Sequence, residues 1–182
     1  MLNNRILIFL LFVGGLLYWI YLAQNQQGFF GESLNAGGNN NNLIGQKAPD
    51  FTVYDEKGTP LKLSDLKGKV VLLHFWATWC PPCASEFPTL NQFVSHYIGP
   101  DFVFAPVSLD ENKDDVAAFR KQVKFDLPIY FDPEEGAVAD KYGTYRLPET
   151  YLINKKGIVV YKMIGPQDWS KPIWQQKIKE VL

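Results

Sequence analysis

Hydrophobic and polar positions alternate along the chain in distinct registers, and each register predicts an element. From Ile6 to Leu22 the run ILIFLLFVGGLLYWIYL holds 17 residues without a charge. At 1.5 Å of rise per residue it covers ~26 Å as a helix, enough for a bilayer core. Residues 24–42 carry no apolar period at all. Beyond them, Phe51 to Leu63 reads as a hairpin around Asp55-Glu56-Lys57-Gly58, with Ser64 opening a short helical turn before Gly68. Lys69 to Ala77 is continuously apolar, as a strand buried on both faces would be. The helix expected from Pro82 to Tyr97 places Phe87, Leu90, Val94 and Tyr97 on one side, with Pro88 as a kink. Phe102 to Leu109 predicts a second buried strand and Asp114 to Val123 a helix. Leu127 to Phe131 predicts a short strand, and Glu134 to Tyr142 a helix ended by Gly143. Thr150 to Ile153 and Ile158 to Ile164 form a hairpin across Asn154-Lys155-Lys156-Gly157, and Ser170 opens a final amphipathic helix. This order predicts an α/β sandwich whose mixed sheet is parallel first and antiparallel last.

Three regions follow. Residues 1–23 are expected to be a membrane anchor, with a cleaved signal peptide as the competing reading. Tyr18, Trp19 and Tyr21 cluster at its far end like an interfacial belt, and Arg5 is the only charge before Glu32. That asymmetry favours the amino terminus inside and the remainder exported. Tyr21 stands where a small residue should precede a cut after Ala23, which disfavours cleavage. Residues 24–42 are linker, 13 of 19 being Gln, Asn or Gly, with a root-mean-square span of ~25 Å. Residues 43–182 form the folded domain.

Composition narrows the chemistry. Eighteen basic against 19 acidic side chains leave a net charge of −1, so nothing suggests a nucleic-acid partner. Two cysteines cannot build a disulfide scaffold. They are three apart, in Cys80-Pro81-Pro82-Cys83, where a buried strand gives way to a helix. A thiolate there faces unpaired N–H groups and the positive end of the helix dipole, which lowers its pKa. Pro81 and Pro82 stiffen the turn and remove two donors. Cys80 is expected to be the exposed attacker and Cys83 the resolving thiol one turn deeper. A zinc site would need His74 and His96, the chain's two histidines, to converge on the pair. A copper carrier would want histidine further along the chain, and none follows His96. A purely structural disulfide would close too short a loop to stabilise much.

FWATWCPPC at the end of a buried strand, Arg146-Leu147-Pro148-Glu149-Thr150 before the last hairpin and an exported, anchored chain resemble the thioredoxin-fold TlpA/ResA/CcmG (DsbE) group. IGQKAPDF…LSDLKGKVVLLHFW is typical of that group and of the related peroxiredoxins, and the resemblance spans residues 44–182. It implies a thioredoxin-like sandwich with an N-terminal hairpin extension, and an exported thiol–disulfide oxidoreductase without cofactor or metal. Pro148 then corresponds to the cis-proline facing the disulfide, with Leu147 offering its backbone to an extended substrate. Glu86 matches an acidic residue that exchanges a proton with the resolving thiol, and Trp79 and Pro81 flank the reactive sulfur. Thioredoxins proper place a buried aspartate six residues before the first cysteine. Here that position is His74, either a proton relay or a neutral core histidine.

The implied partners are exported disulfide proteins, apocytochrome c among them, and a membrane thiol–disulfide electron donor. The opposite direction, disulfide formation, is the rival within the same fold. A peroxiredoxin is disfavoured because Ala77 holds the place of the threonine three positions before the peroxidatic cysteine.

Overall fold

The computed structural model describes residues 14–16, 18, 42–133 and 136–182. The chain divides into two units, Met1–Asn40 and Asn41–Leu182. In the first, Gly14, Gly15, Leu16 and Tyr18 are helical. Most of the expected anchor and the linker lie outside the described residues, among which no helix is long and apolar enough to cross a membrane.

The second unit runs β1 (Thr52–Asp55), β2 (Pro60–Lys62), a 3-10 turn (Leu63–Leu66), β3 (Val70–Trp76), α1 (Pro81–Tyr97) and β4 (Phe102–Ser108). It continues with α2 (Lys113–Val123), β5 (Tyr130–Phe131), α3 (Ala137–Lys141), β6 (Glu149–Ile153), β7 (Val159–Ile164) and α4 (Pro172–Lys179). One sheet holds seven strands in the order β2-β1-β5-β4-β3-β6-β7. β3, β4 and β5 are parallel, whereas β6, β7 and the β1–β2 hairpin are antiparallel to their neighbours. This is the α/β sandwich with a mixed sheet that the hydrophobic pattern predicts.

Central strand β3 is buried at all seven positions, and the alternation of its side chains makes two cores. Val70, Leu72 and Trp76 face Phe87, Leu90 and Val94 of α1, Val116 and Phe119 of α2 and Ile178 of α4. Val71, Leu73 and Phe75 face the other way, onto Leu43, Phe51 and Val138. Each fully buried aliphatic or aromatic side chain of this kind stabilises the fold by ~1.5–3 kcal/mol. His74 belongs to the first series, so the sheet aims it at α1.

Turn chemistry explains both hairpins. The Asp55 carboxylate accepts from the Lys57 and Thr59 N–H groups, and Gly58 takes the left-handed φ of 83° that closes the turn. Asn154 does the same for Lys156 and Ile158.

Three expected elements are shorter. β5 starts at Tyr130 rather than Leu127, because the Arg120 guanidinium occupies the Leu127 carbonyl and Pro128 has no N–H to offer a ladder. α3 starts at Ala137, where Asp132 caps the Val138 and Ala139 N–H groups from outside; the expected start at Glu134 lies outside the described residues. α4 starts at Pro172, after Asp168 has turned Ser170 out of the helix. α1 runs through Pro88 as one element of 17 residues.

Candidate active site

β3 ends at Trp76, and four residues later Cys80 is the N-cap of α1. Pro81 and Pro82 occupy the first two helical positions and have no N–H. The first free donor of the helix is therefore the Cys83 N–H, which donates to Cys80 Sγ at 3.3 Å. The sulfur takes the place a serine oxygen usually fills at a helix start. Cys80 and Cys83 are joined in a disulfide. Cys80 is not the exposed group expected: it retains 5% of its surface against 0% for Cys83 and packs into the first core, whereas neighbouring Trp79 is 66% exposed. The attacker assignment thus rests on Cys80 being the more accessible sulfur and the one receiving the N–H. Pro81 is exposed.

Asp110, unforeseen in the sequence, holds the loop before the pair. Its carboxylate accepts from the Thr78 N–H at 2.9 Å, the Thr78 hydroxyl at 2.5 Å and the Ser108 hydroxyl at 2.6 Å. Across the sheet, the Leu147–Pro148 peptide is cis. Phe75 pairs with Glu149, so Pro148 comes next to the end of β3 from which the cysteine loop departs. Leu147 packs against the cluster that contains both cysteines. Glu149 itself is fully buried and paired with Lys162 at 2.7 Å, and Tyr151 donates its hydroxyl to the same carboxylate.

Glu86 and His74 meet under the pair. Glu86 lies one turn past Cys83 on the inner face of α1 and is 3% exposed. Its Oε2 accepts from the Gln167 N–H at 2.8 Å and the Trp169 indole N–H at 3.1 Å. Burial pushes its carboxyl up to about 7, against the partial relief of those two donors. His74 is fully buried, with Nδ1 2.8 Å from the Thr150 hydroxyl and Nε2 3.4 Å from Glu86 Oε1. Burial drives the imidazole down to about 3, so the ring is neutral at neutral pH. His96 is exposed near the end of α1, well apart in burial from His74, and the two do not converge.

Such a site can exchange a dithiol for a disulfide and store a proton beside it. Thr150, Gln167 and Trp169 were missed in the sequence because each reaches the site through tertiary register. The one available signal was Thr150 facing His74 if both hairpin and central strand were aligned.

Residues 44–162 match the AhpC/TSA family. Thiol-disulfide oxidoreductase ResA of a Bacillus cereus strain is 35% identical over 163 residues, 90% of this chain and 87% of its own. The chain belongs to the ResA-like thiol-disulfide oxidoreductases of the AhpC/TSA family. ResA of Bacillus subtilis (strain 168) is 39% identical over 121 residues, 66% of this chain and 67% of its own. Among solved structures, a Chlorobium tepidum protein provisionally assigned as thiol:disulfide interchange protein DsbE superposes with a TM-score of 0.68 at 36% identity. It covers 76% of this chain and 96% of its own. The ResA-like chain therefore has a thioredoxin-like fold and is a thiol–disulfide oxidoreductase, the chemistry that Cys80 and Cys83 are placed to perform.

Proposed function

We propose that this oxidoreductase works as a reductant of disulfides in exported proteins. The observation that carries the reading is a buried carboxyl, Glu86, one turn from Cys83 and poised near neutrality. In the reduced enzyme the Cys80 thiolate attacks a substrate disulfide. A Cys80–substrate bond forms, the substrate S–S bond breaks, and one substrate thiolate leaves. Glu86 then takes the proton of the Cys83 thiol, and the Cys83 thiolate attacks Cys80 Sγ. The second substrate thiol leaves, two electrons have passed to the substrate, and the enzyme is left as the disulfide.

Trp79, Pro81 and the Leu147 backbone before cis-Pro148 form the docking edge, where an extended substrate adds as a short strand. Apocytochrome c with an oxidised haem-attachment pair fits this chemistry. A membrane thiol–disulfide protein re-reduces the enzyme, and residues 1–23 anchor it with residues 24–42 as tether and the domain on the outer side.

The test is the reduction potential together with a trap. A potential near the reducing end of the ~−270 to −120 mV range for this fold is expected; one near −120 mV overturns the direction in favour of a disulfide-forming oxidant. Cys83→Ser should accumulate mixed disulfides through Cys80 and Cys80→Ser few, and the reverse pattern would exchange the two roles.

A further inference from the structure

Two buried polar atoms of the site lack a hydrogen bond of ordinary geometry, His74 Nε2 and Glu86 Oε1. They face each other at 3.4 Å, on side chains 0% and 1% exposed. That gap is too short to admit a water between them. Two bare lone pairs opposed in an apolar setting would each incur the ~1–3 kcal/mol of an unsatisfied group. One proton between them satisfies both.

The remaining atoms of the two side chains are committed. Glu86 Oε2 receives the Gln167 and Trp169 N–H groups, and His74 Nδ1 meets the Thr150 hydroxyl. Of these partners only a hydroxyl can turn from acceptor to donor. The other groups against the couple are Phe87 of α1 and Phe104 of β4, in ring contact with His74. The other titratable groups of these elements are engaged elsewhere or exposed. Glu149 of β6 pairs with Lys162 and Tyr151, Asp168 bonds to Ser170, Tyr97 packs on Phe93 and Phe102, and Lys171 and His96 are exposed. The Cys83 thiol of the reduced enzyme lies one turn from Glu86.

We propose that His74 is a tautomer-switching partner of Glu86, which keeps a proton between Oε1 and Nε2 whether or not the carboxyl is ionised. With Glu86 protonated, Oε1–H donates to a bare Nε2, and Nδ1–H donates to Thr150. With one proton fewer, the ring carries its single proton on Nε2, which donates to the carboxylate, and the Thr150 hydroxyl turns to donate to Nδ1. The imidazole is neutral in both states. Taking up the Cys83 proton returns the couple to the first state. This deepens the reading of Glu86 as proton acceptor and rests on it for the step in turnover. The depressed imidazole and the raised carboxyl place the exchange near neutral pH without an imidazolium.

The chain has two histidines, so nitrogen NMR of the oxidised full chain, labelled with 15N-histidine in detergent micelles, reads the switch directly. His96 serves as the exposed reference. Between pH 5 and 9 the two His74 nitrogens are expected to exchange protonated and bare character around pH 7. Glu86→Gln should lock one tautomer across the range. Thr150→Ser should leave the midpoint in place. Thr150→Val should lower it, because a buried N–H on Nδ1 without a partner is harder to tolerate than a bare nitrogen. A single His74 tautomer throughout in the wild type, an imidazolium at the midpoint, or a swap that persists unchanged in Glu86→Gln overturns the proposal. Reduction of a soluble disulfide protein by the same preparation, once reduced, is read separately. Inactivity there with the swap intact would sink the reductase reading and leave the couple standing.

Discussion

Glu86 shows how much acid–base character a single helix position acquires from its surroundings. An exposed glutamate titrates near 4.5, whereas here burial holds the carboxyl up to about 7. Between those values the native state keeps a proton that the unfolded chain has released. Stability from this group is therefore full below about pH 4.5 and is lost as pH rises through about 7. His74, with its pKa depressed to about 3, works the other way, since stability falls as pH drops below 6.5. That contribution is present in Glu86→Gln as well, so it cancels when the two proteins are compared. Glutamine mimics the neutral acid. Wild type is expected to match Glu86→Gln near pH 4.5 and to fall below it, by on the order of 3 kcal/mol, near pH 8. Urea unfolding of the oxidised residues 43–182 at the two pH values, followed by tryptophan fluorescence, measures the difference. A difference independent of pH would mean that Glu86 titrates like a solvated carboxylate. At this scale the sequence named Cys80, Cys83, Glu86, His74 and Pro148 by spacing and resemblance. It could not name Thr150, Gln167, Trp169 or Asp110, since each is a partner brought in from elsewhere in the chain.

At the scale of elements, α1 sets the reactivity of Cys80 through what its first turn lacks. The proline at its second position, Pro82, withholds one of the two N–H groups able to reach an N-cap side chain, leaving only that of Cys83. Pro82→Ala restores the missing donor. A hydrogen bond to a charged acceptor is worth ~1.5 kcal/mol, and it would favour the thiolate and so the reduced protein. The Cys80 pKa should fall by about one unit and the reduction potential rise by about 30 mV. Pro81→Ala should change both far less, because the first helical N–H is not directed at the cap. Equilibration with glutathione and the pH dependence of Cys80 alkylation check the pair; equal shifts in both variants would tie the effect to turn stiffness instead. The periodicity of β3 and α1 was legible because both are long and bury a whole face or stripe. β5 was less so: Arg120 takes the carbonyl that a longer strand would have used, and a side chain arriving from a helix leaves no local pattern. Nor did the pattern indicate that the β1–β2 hairpin extends the sheet beside β5, since strand order across a sheet is a long-range choice.

For the whole molecule, the issue is where the unit that carries a site assembled from three separate stretches begins. His74 to Glu86, Pro148 to Thr150 and Gln167 to Trp169 converge around β3, and among the described residues both cores are built from Leu43 onward. Leu43 and Ala48 are themselves buried in the second core, and the Gly45 and Ala48 N–H groups bond to the Val159 and Gly157 carbonyls. Where the folded unit begins is thus a physical matter, and it predicts two different truncations. Removal of residues 1–42 should leave the unfolding midpoint unchanged and kcat/KM on a soluble disulfide substrate within about twofold, because the cores described above start at Leu43. Removal of residues 1–50 takes away Leu43 and Ala48 together with the strap over β7. At ~1.5–3 kcal/mol for burial of a leucine side chain and ~1 kcal/mol for each of the three backbone hydrogen bonds that Gly45, Gln46 and Ala48 make with Gly157 and Val159, the loss should be about 4–6 kcal/mol. Cell fractionation completes the comparison: the full chain should sediment with membranes and the 43–182 form remain soluble. A full chain found in the soluble fraction would remove the anchor. A 43–182 form that unfolds would move the domain boundary into the Gln/Asn/Gly-rich segment, whose composition offers nothing to bury.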